Sequence, residues 1–201
     1  PENIFVFPDF LNTLPYSQLR SGFAEMLKHG LIADQKHWND LISIKHLTAE
    51  NLFPFIETSM KIKERIVGQD FKEQHIRKTL NFGHTIGHAI ESLFLQTGTA
   101  IPHGEAVALG MICESRLAFL INLIGEVDAE NIINNIRKFY PYLSISQFSD
   151  DQILPLMMND KKNSSGKISF SLLKKIGEGN FDCEVSEKDL ISTLQYSRNL
   201  N

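Results

Sequence analysis

The chain has 201 residues, with 20 lysines and arginines against 24 acids, a net charge of −4 and 42% apolar residues. That suffices to bury the core of one sizeable domain. The charge balance excludes a general nucleic-acid-binding field but leaves room for a local basic pocket. The two cysteines, Cys113 and Cys183, stand far apart in no metal-type spacing. They exclude a disulfide framework and point to a reducing, cytoplasmic setting. No apolar run is long enough to span a bilayer, so no membrane partner is expected.

The sequence opens at Pro1, and Ile4 to Phe7 reads as a strand with no partner. Residues 1–14 are therefore expected to be a linker or strand from a preceding domain of a longer polypeptide. From Ser17, a candidate cap, Leu19, Phe23, Met26, Leu27 and Leu31 recur at helical spacing. A second helical stretch surrounds His37 to Lys45. Thr48 can open a long helix with Leu52, Phe55, Ile56, Ser59, Ile62 and Ile66 on one stripe.

The pattern predicts another helix from Glu73 to about Leu95, although it contains Gly83 and Gly87. Each glycine costs a helix about 1 kcal/mol against alanine, so close approach of another backbone or a ligand is the expected reason. A loop carrying His103 leads into an apolar helix from Gly104 to about Asn122, expected to be buried on most sides. A further helix covers Ala129 to Phe139, and Ser149 or Asp150 opens one reaching Met158. Ile168–Leu173 against Asn180–Val185 reads as a β-hairpin, and Ser186 caps a last helix to about Tyr196. The expectation is a mainly α, multihelical domain with a small hairpin. Its parts are a helical core over 15–160, a hairpin region over 161–185 and a C-terminal helix over 186–201.

Polar residues cluster where apolar ones were expected. In "NFGHTIGHAIES", residues 81–92, His84 and His88 are four apart and share a helix face, about 40° apart around the axis. Glu73, Arg77, Asn81 and Glu91 extend the polar lines on the predicted helix. A solvated face accounts for Glu73 and Arg77, but poorly for histidines flanked by glycine. Glu25 and Lys28 sit among Phe23, Ala24, Met26 and Leu27, where an exposed i, i+3 pair is the simplest account. One carboxylate and two imidazoles from separate segments make a catalytic zinc set with an open fourth position. Spacing does not choose between His84 and His88 as ligand.

"LRSGFAEMLKHGLI", "RKTLNFGHTIGHAIE" and "HGEAVALGM" together resemble the 3-dehydroquinate synthase family. "SMKIKERIVGQD" and "NDKKNSSGKISFSLLKKIG" extend the likeness over nearly the whole chain. The resemblance is to the C-terminal, metal-binding half. The family's NAD-binding domain, with its glycine-rich turn, has no counterpart in these residues. The resemblance implies Glu25, His84 and His103 as ligands of Zn²⁺ or Co²⁺. It implies substrate contacts at Lys28, Lys63, Arg77, Asn81, His88 and Lys161, with Lys162 as the alternative to Lys161. It implies catalytic roles for His88, Lys63 and Glu73. The implied substrate is a phosphorylated sugar acid, 3-deoxy-D-arabino-heptulosonate 7-phosphate, closed to 3-dehydroquinate with loss of phosphate. NAD⁺ would be held mainly by the other domain, and the whole enzyme is expected to be a homodimer that does not bind nucleic acid. Without the other domain this chain is expected to be inactive. Related sugar-phosphate cyclases and metal-dependent polyol or alcohol dehydrogenases are the alternative enzymes. A metal-free helical interaction domain is the alternative outside catalysis.

Overall fold

The computed structural model describes residues 5–140, 143–158 and 168–200. Eight α-helices and one two-stranded sheet make up the regular structure of these residues, beside two 3₁₀ segments at Pro8–Thr13 and Ile76–Asn81. The mainly α expectation with one hairpin is met. None of the helices is long and apolar enough to cross a membrane.

Helix α1 spans Tyr16–Ala33 and buries Leu19, Phe23, Leu27 and Leu31 of the stripe read from the sequence, with Met26 half-buried. Ser17 is not its cap. Pro15 takes that position, and its carbonyl accepts from the amides of Gln18 and Leu19. Helix α2, Gln35–Ile42, is capped by Asp34, whose carboxylate accepts from the His37 amide at 3.0 Å. α1 and α2 approach closely, since a Cβ at Gly30 would lie 2.7 Å from Trp38 N. Helix α3, Ala49–Gln69, starts at Thr48 as expected, and the Thr48 hydroxyl accepts from Asn51 N.

Two larger sequence expectations also fail. Phe5, Val6 and Phe7 form no strand and are exposed, while Ile4 lies outside the described residues. The predicted helix from Glu73 to Leu95 is broken. The Asp70 carboxylate accepts from the amides of Gln74, His75 and Arg77 at 3.0, 2.7 and 3.1 Å, which organises a turn in competition with helix. The short 3₁₀ segment at Ile76–Asn81 follows. Gly83 then adopts φ +80°, and α4 begins only at His84, running to Gln96.

Helix α5, His103–Leu120, buries 13 of its 18 residues and packs on α1, α4 and the sheet. It also packs on two later helices, α6 at Glu126–Phe139 and α8 at Glu187–Arg198. α7, Asp150–Met158, lies on α4; the amides of Gln152 and Ile153 donate to the Ser149 carbonyl. The hairpin pairs β1, Ser169–Lys175, with β2, Glu178–Glu184, antiparallel. Gly177 in its tip has φ +87° and donates to Leu31 O at 2.8 Å, which pins the hairpin to the end of α1. Ser186 caps α8 as read, accepting from Asp189 N.

One buried polar pair joins α1 to α3. His29 is 6% exposed, and its Nδ1 lies 2.6 Å from Ser59 Oγ. Burial, helped by the charges of Lys28 and then Lys63, pushes the imidazole down from 6.5 to about 3. The folded state thus keeps His29 neutral while the unfolded chain takes up a proton below 6.5, so stability falls as pH drops from 6.5 towards 3. Between pH 7 and 5 the unfolding free energy is expected to fall by about 2 kcal/mol on this account. Denaturant melts at both pH values should show it, and His29→Gln should flatten the dependence; a slope identical in the variant would refute the assignment.

Candidate metal centre

Three helices converge on one point. His84 opens α4 and His88 lies one turn on, with ring centroids 5.0 Å apart. His103 opens α5 rather than preceding it, and its ring lies 5.5 Å from His84 and 5.6 Å from His88. Glu25 of α1 completes the group. Its Oε1 lies 3.4 Å from His84 Nε2 and 3.8 Å from His103 Nε2.

Glycine makes this convergence possible. A Cβ at Gly87 would lie 2.9 Å from Ala106 O, and one at Gly110 would overlap Gly83 O. α4 and α5 therefore meet backbone to backbone, the close approach expected from the two glycines of the motif. Gly104 meets Ser21 of α1 in the same way, and its amide donates to Ser21 Oγ at 2.8 Å. Glu114, fully buried in α5, accepts from the amides of Gly83 at 2.5 Å and Ile86 at 3.2 Å. It replaces the side-chain cap that Gly83 cannot supply and fixes the turn that presents His84. Sequence reasoning passed over Glu114; its only signal was an acid inside an otherwise apolar helix.

The ligand atoms fit a small divalent ion. Donors about 2.0–2.2 Å from a tetrahedral zinc stand a little over 3 Å apart, close to the two Glu25–histidine spacings. Glu25 Oε1 is buried and accepts no hydrogen bond, an arrangement costly for a carboxylate oxygen unless an ion takes it. Its other oxygen accepts from Lys28 Nζ at 2.6 Å. Burial alone would raise the Glu25 carboxyl, and the Lys28 ammonium against its other oxygen works in the opposite direction. The Glu25–Lys28 pair is thus not the exposed pair of the simplest sequence account, for Lys28 is 3% exposed. His84, His88 and His103 form a second possible triad, with one ligand atom of each within 4.8 Å of the others. The buried Glu25 oxygen favours the set that includes it, and His88 is exposed at the mouth.

The other site candidates are placed unevenly. Asn81 donates to Glu73 Oε1 at 2.9 Å, and Arg77 Nε lies 3.8 Å from Glu73 Oε2. Arg77 also donates to Phe71 O at 2.8 Å. The broken helix therefore still gathers this trio, through a turn rather than a helix face. Glu73 and Asn81 line a cleft of about 250 Å³ that Ser169 and Ser171 of the hairpin close on one side. His88 and Glu91 line a separate open cleft with Ser92 and Ile101. Lys63 is exposed on α3, where its charge reaches His29. Lys161 and Lys162 lie outside the described residues. The sequence reading also missed Lys78, whose ammonium pairs with Asp182 at 2.7 Å and ties the Ile76–Asn81 segment to the hairpin.

Comparison with known proteins gives the same direction. The family model described as 3-dehydroquinate synthase C-terminal matches residues 22–163. The 3-dehydroquinate synthase of Parabacteroides distasonis is 38% identical over 200 residues, covering 98% of this chain and 57% of that protein. The chain thus spans little more than half the length of the curated relatives it matches. Among solved structures, 2-epi-5-epi-valiolone synthase from Streptomyces hygroscopicus, with NAD⁺ and Zn²⁺ bound, has the same fold. Its TM-score is 0.82 at 22% identity, over 96% of this chain and 55% of that one. A 2-deoxy-scyllo-inosose synthase complexed with carbaglucose-6-phosphate, NAD⁺ and Co²⁺ gives 0.77 at 27% identity, over 94% and 55%.

Proposed function

The chain belongs to the 3-dehydroquinate synthase family, matching its C-terminal part, and from that we propose that it forms the metal- and substrate-binding part of a phosphate-eliminating sugar cyclase. The substrate proposed is 3-deoxy-D-arabino-heptulosonate 7-phosphate and the product 3-dehydroquinate. The observation that carries this reading is the buried, unbonded Glu25 oxygen facing Nε2 of both His84 and His103. Glu25, His84 and His103 would hold Zn²⁺ or Co²⁺, which when bound supplies Lewis acidity to a substrate hydroxyl and a template for the ring. NAD⁺ is proposed as hydride acceptor. We assign its binding to a second domain, for which the curated relatives, nearly twice as long, have room.

The chain's own residues bind and orient. The Arg77 guanidinium, steadied by Phe71 O and Glu73, suits a carboxylate through its planar fork. Lys28, Lys63 and Lys161 suit the phosphate as point charges. Asn81, held by Glu73, offers a fixed amide to ring hydroxyls. His88 stands exposed beside His84 and is assigned to the phosphate end, where the substrate's own phosphate can take the proton in the elimination. Such a site needs little general base, and positioning supplies much of the rate.

Among related cyclases, Arg77 favours a sugar-acid phosphate over a hexose phosphate without a carboxylate. The reaction itself separates cyclase from dehydrogenase. In an enzyme holding both this chain and a nucleotide-binding domain, one phosphate should be released per heptulosonate phosphate consumed, with no net NADH. Accumulating NADH, or phosphate released only from a hexose 6-phosphate lacking a carboxylate, would contradict the assignment.

A further inference from the structure

We infer that Glu91 is a positioning residue of the metal centre: its carboxylate holds the His103 ring with Nδ1 protonated and Nε2 turned toward the ion. The inference rests on the metal reading above. Glu91 Oε2, on α4, lies 3.0 Å from His103 Nδ1 at the start of α5. An ionised carboxylate only accepts, so the ring nitrogen donates and the proton sits on Nδ1. In the neutral ring Nε2 is then a lone-pair donor, and it faces Glu25 Oε1 at 3.8 Å.

His84 repeats the arrangement with a different holder. Its Nδ1 lies 3.1 Å from Phe82 O, a carbonyl that can only accept, which leaves Nε2 for the same Glu25 oxygen at 3.4 Å. Two rings from two helices thus present the same nitrogen to the same point, one fixed by main chain and the other by a side chain. Their surroundings differ in the matching sense. The His84 side chain is 13% exposed and packing restrains it, whereas that of His103 is 42% exposed and needs a tether. Glu91 lies one turn beyond His88 on α4, and the close α4–α5 approach at Gly87 brings it within reach of the first residue of α5. A carboxylate bonded to the far nitrogen of a ligating imidazole fixes the tautomer and raises the ring's basicity, and losing it typically costs 10–100-fold in metal affinity.

The test uses the intact protein with Co²⁺ as the probe. In Glu91→Ala the Co²⁺ dissociation constant should rise about 10–100-fold. In Glu91→Gln, whose amide oxygen still accepts from Nδ1, the rise should be smaller. Histidine ¹⁵N NMR of the metal-free protein should show His103 leaving the Nδ1–H form in Glu91→Ala while His84 keeps it. Unchanged Co²⁺ affinity in Glu91→Ala, or a His103 tautomer indifferent to the substitution, overturns this inference alone. A parent protein that takes up no Co²⁺ overturns it together with the metal reading beneath it.

Discussion

Glu25→Ala is expected to abolish stoichiometric metal binding and to lower turnover of the complete enzyme by on the order of 10³-fold, since Lewis-acid stabilisation is worth several kcal/mol. The expectation follows from the Glu25 Oε1 atom, buried and accepting no hydrogen bond between two imidazoles. The alanine variant also removes the acceptor of the buried Lys28 ammonium, so a fold defect could mimic the effect. Glu25→Gln separates the two. It keeps the volume and an oxygen acceptor for Lys28 but loses the charge that a divalent ion requires, so, compared metal-free, it should melt below the parent yet above Glu25→Ala and still lose most of its ion. Elemental analysis of purified protein, read beside turnover, decides the matter. A full complement of metal in Glu25→Gln, with loss of metal in His88→Ala, would transfer the ligand role to the three-histidine set.

The second large effect is expected at a residue that touches no ligand. Gly110→Ala should destabilise the protein by about 3 kcal/mol, because the added methyl meets main chain, which cannot step aside as a flexible side chain can. For a protein of this size that is a fall in melting midpoint of ~6–12 °C. The obstruction is Gly83 O, with Gly87 N at 2.9 Å. Relief requires α4 to move away from α5, which draws His84 and His88 from His103, so metal affinity should fall with stability. Gly68→Ala is the control. A Cβ there meets nothing within 4 Å in helix α3, and the change should be neutral or stabilising by up to about 1 kcal/mol. If the two variants melt together, the close approach of α4 and α5 is not what holds the centre.

The elements that could be read from the chain are those whose causes are local. Thr48 and Ser186 cap the helices that follow them, and the hairpin turns at Gly177, because each depends on a few neighbouring residues. The break between Glu73 and His84 was hidden for the opposite reason. Helical spacing continues through it, and what interrupts it is a carboxylate gathering three amides and a glycine at positive φ. Glu114 was invisible in a stronger sense, since it caps a helix from 31 residues away. The two histidines of α4 were legible as a shared face. That Glu25 and His103 join them came only from family resemblance, for no local rule brings α1 beside the starts of α4 and α5. The glycines were the partial exception, because an element that tolerates Gly87 announces a close neighbour without naming it.

The contact between α4 and α5 has a bearing on which cation the proposed centre would accept. Helices held apart by leucines can adjust their separation by turning a side chain. Helices that touch through glycine peptide units cannot. The distance between the imidazoles of α4 and that of α5 is thus set by main-chain stiffness, and an oversized cation would have to bend peptide groups to gain room. In the proposed centre, ions of about zinc's radius would fit without that strain, whereas calcium, whose oxygens stand at about 2.3–2.6 Å in flexible shells of six or more, would lack the donors. Selection by radius would in this way be written into the helix backbones, beside the selection by donor type that the ligands make.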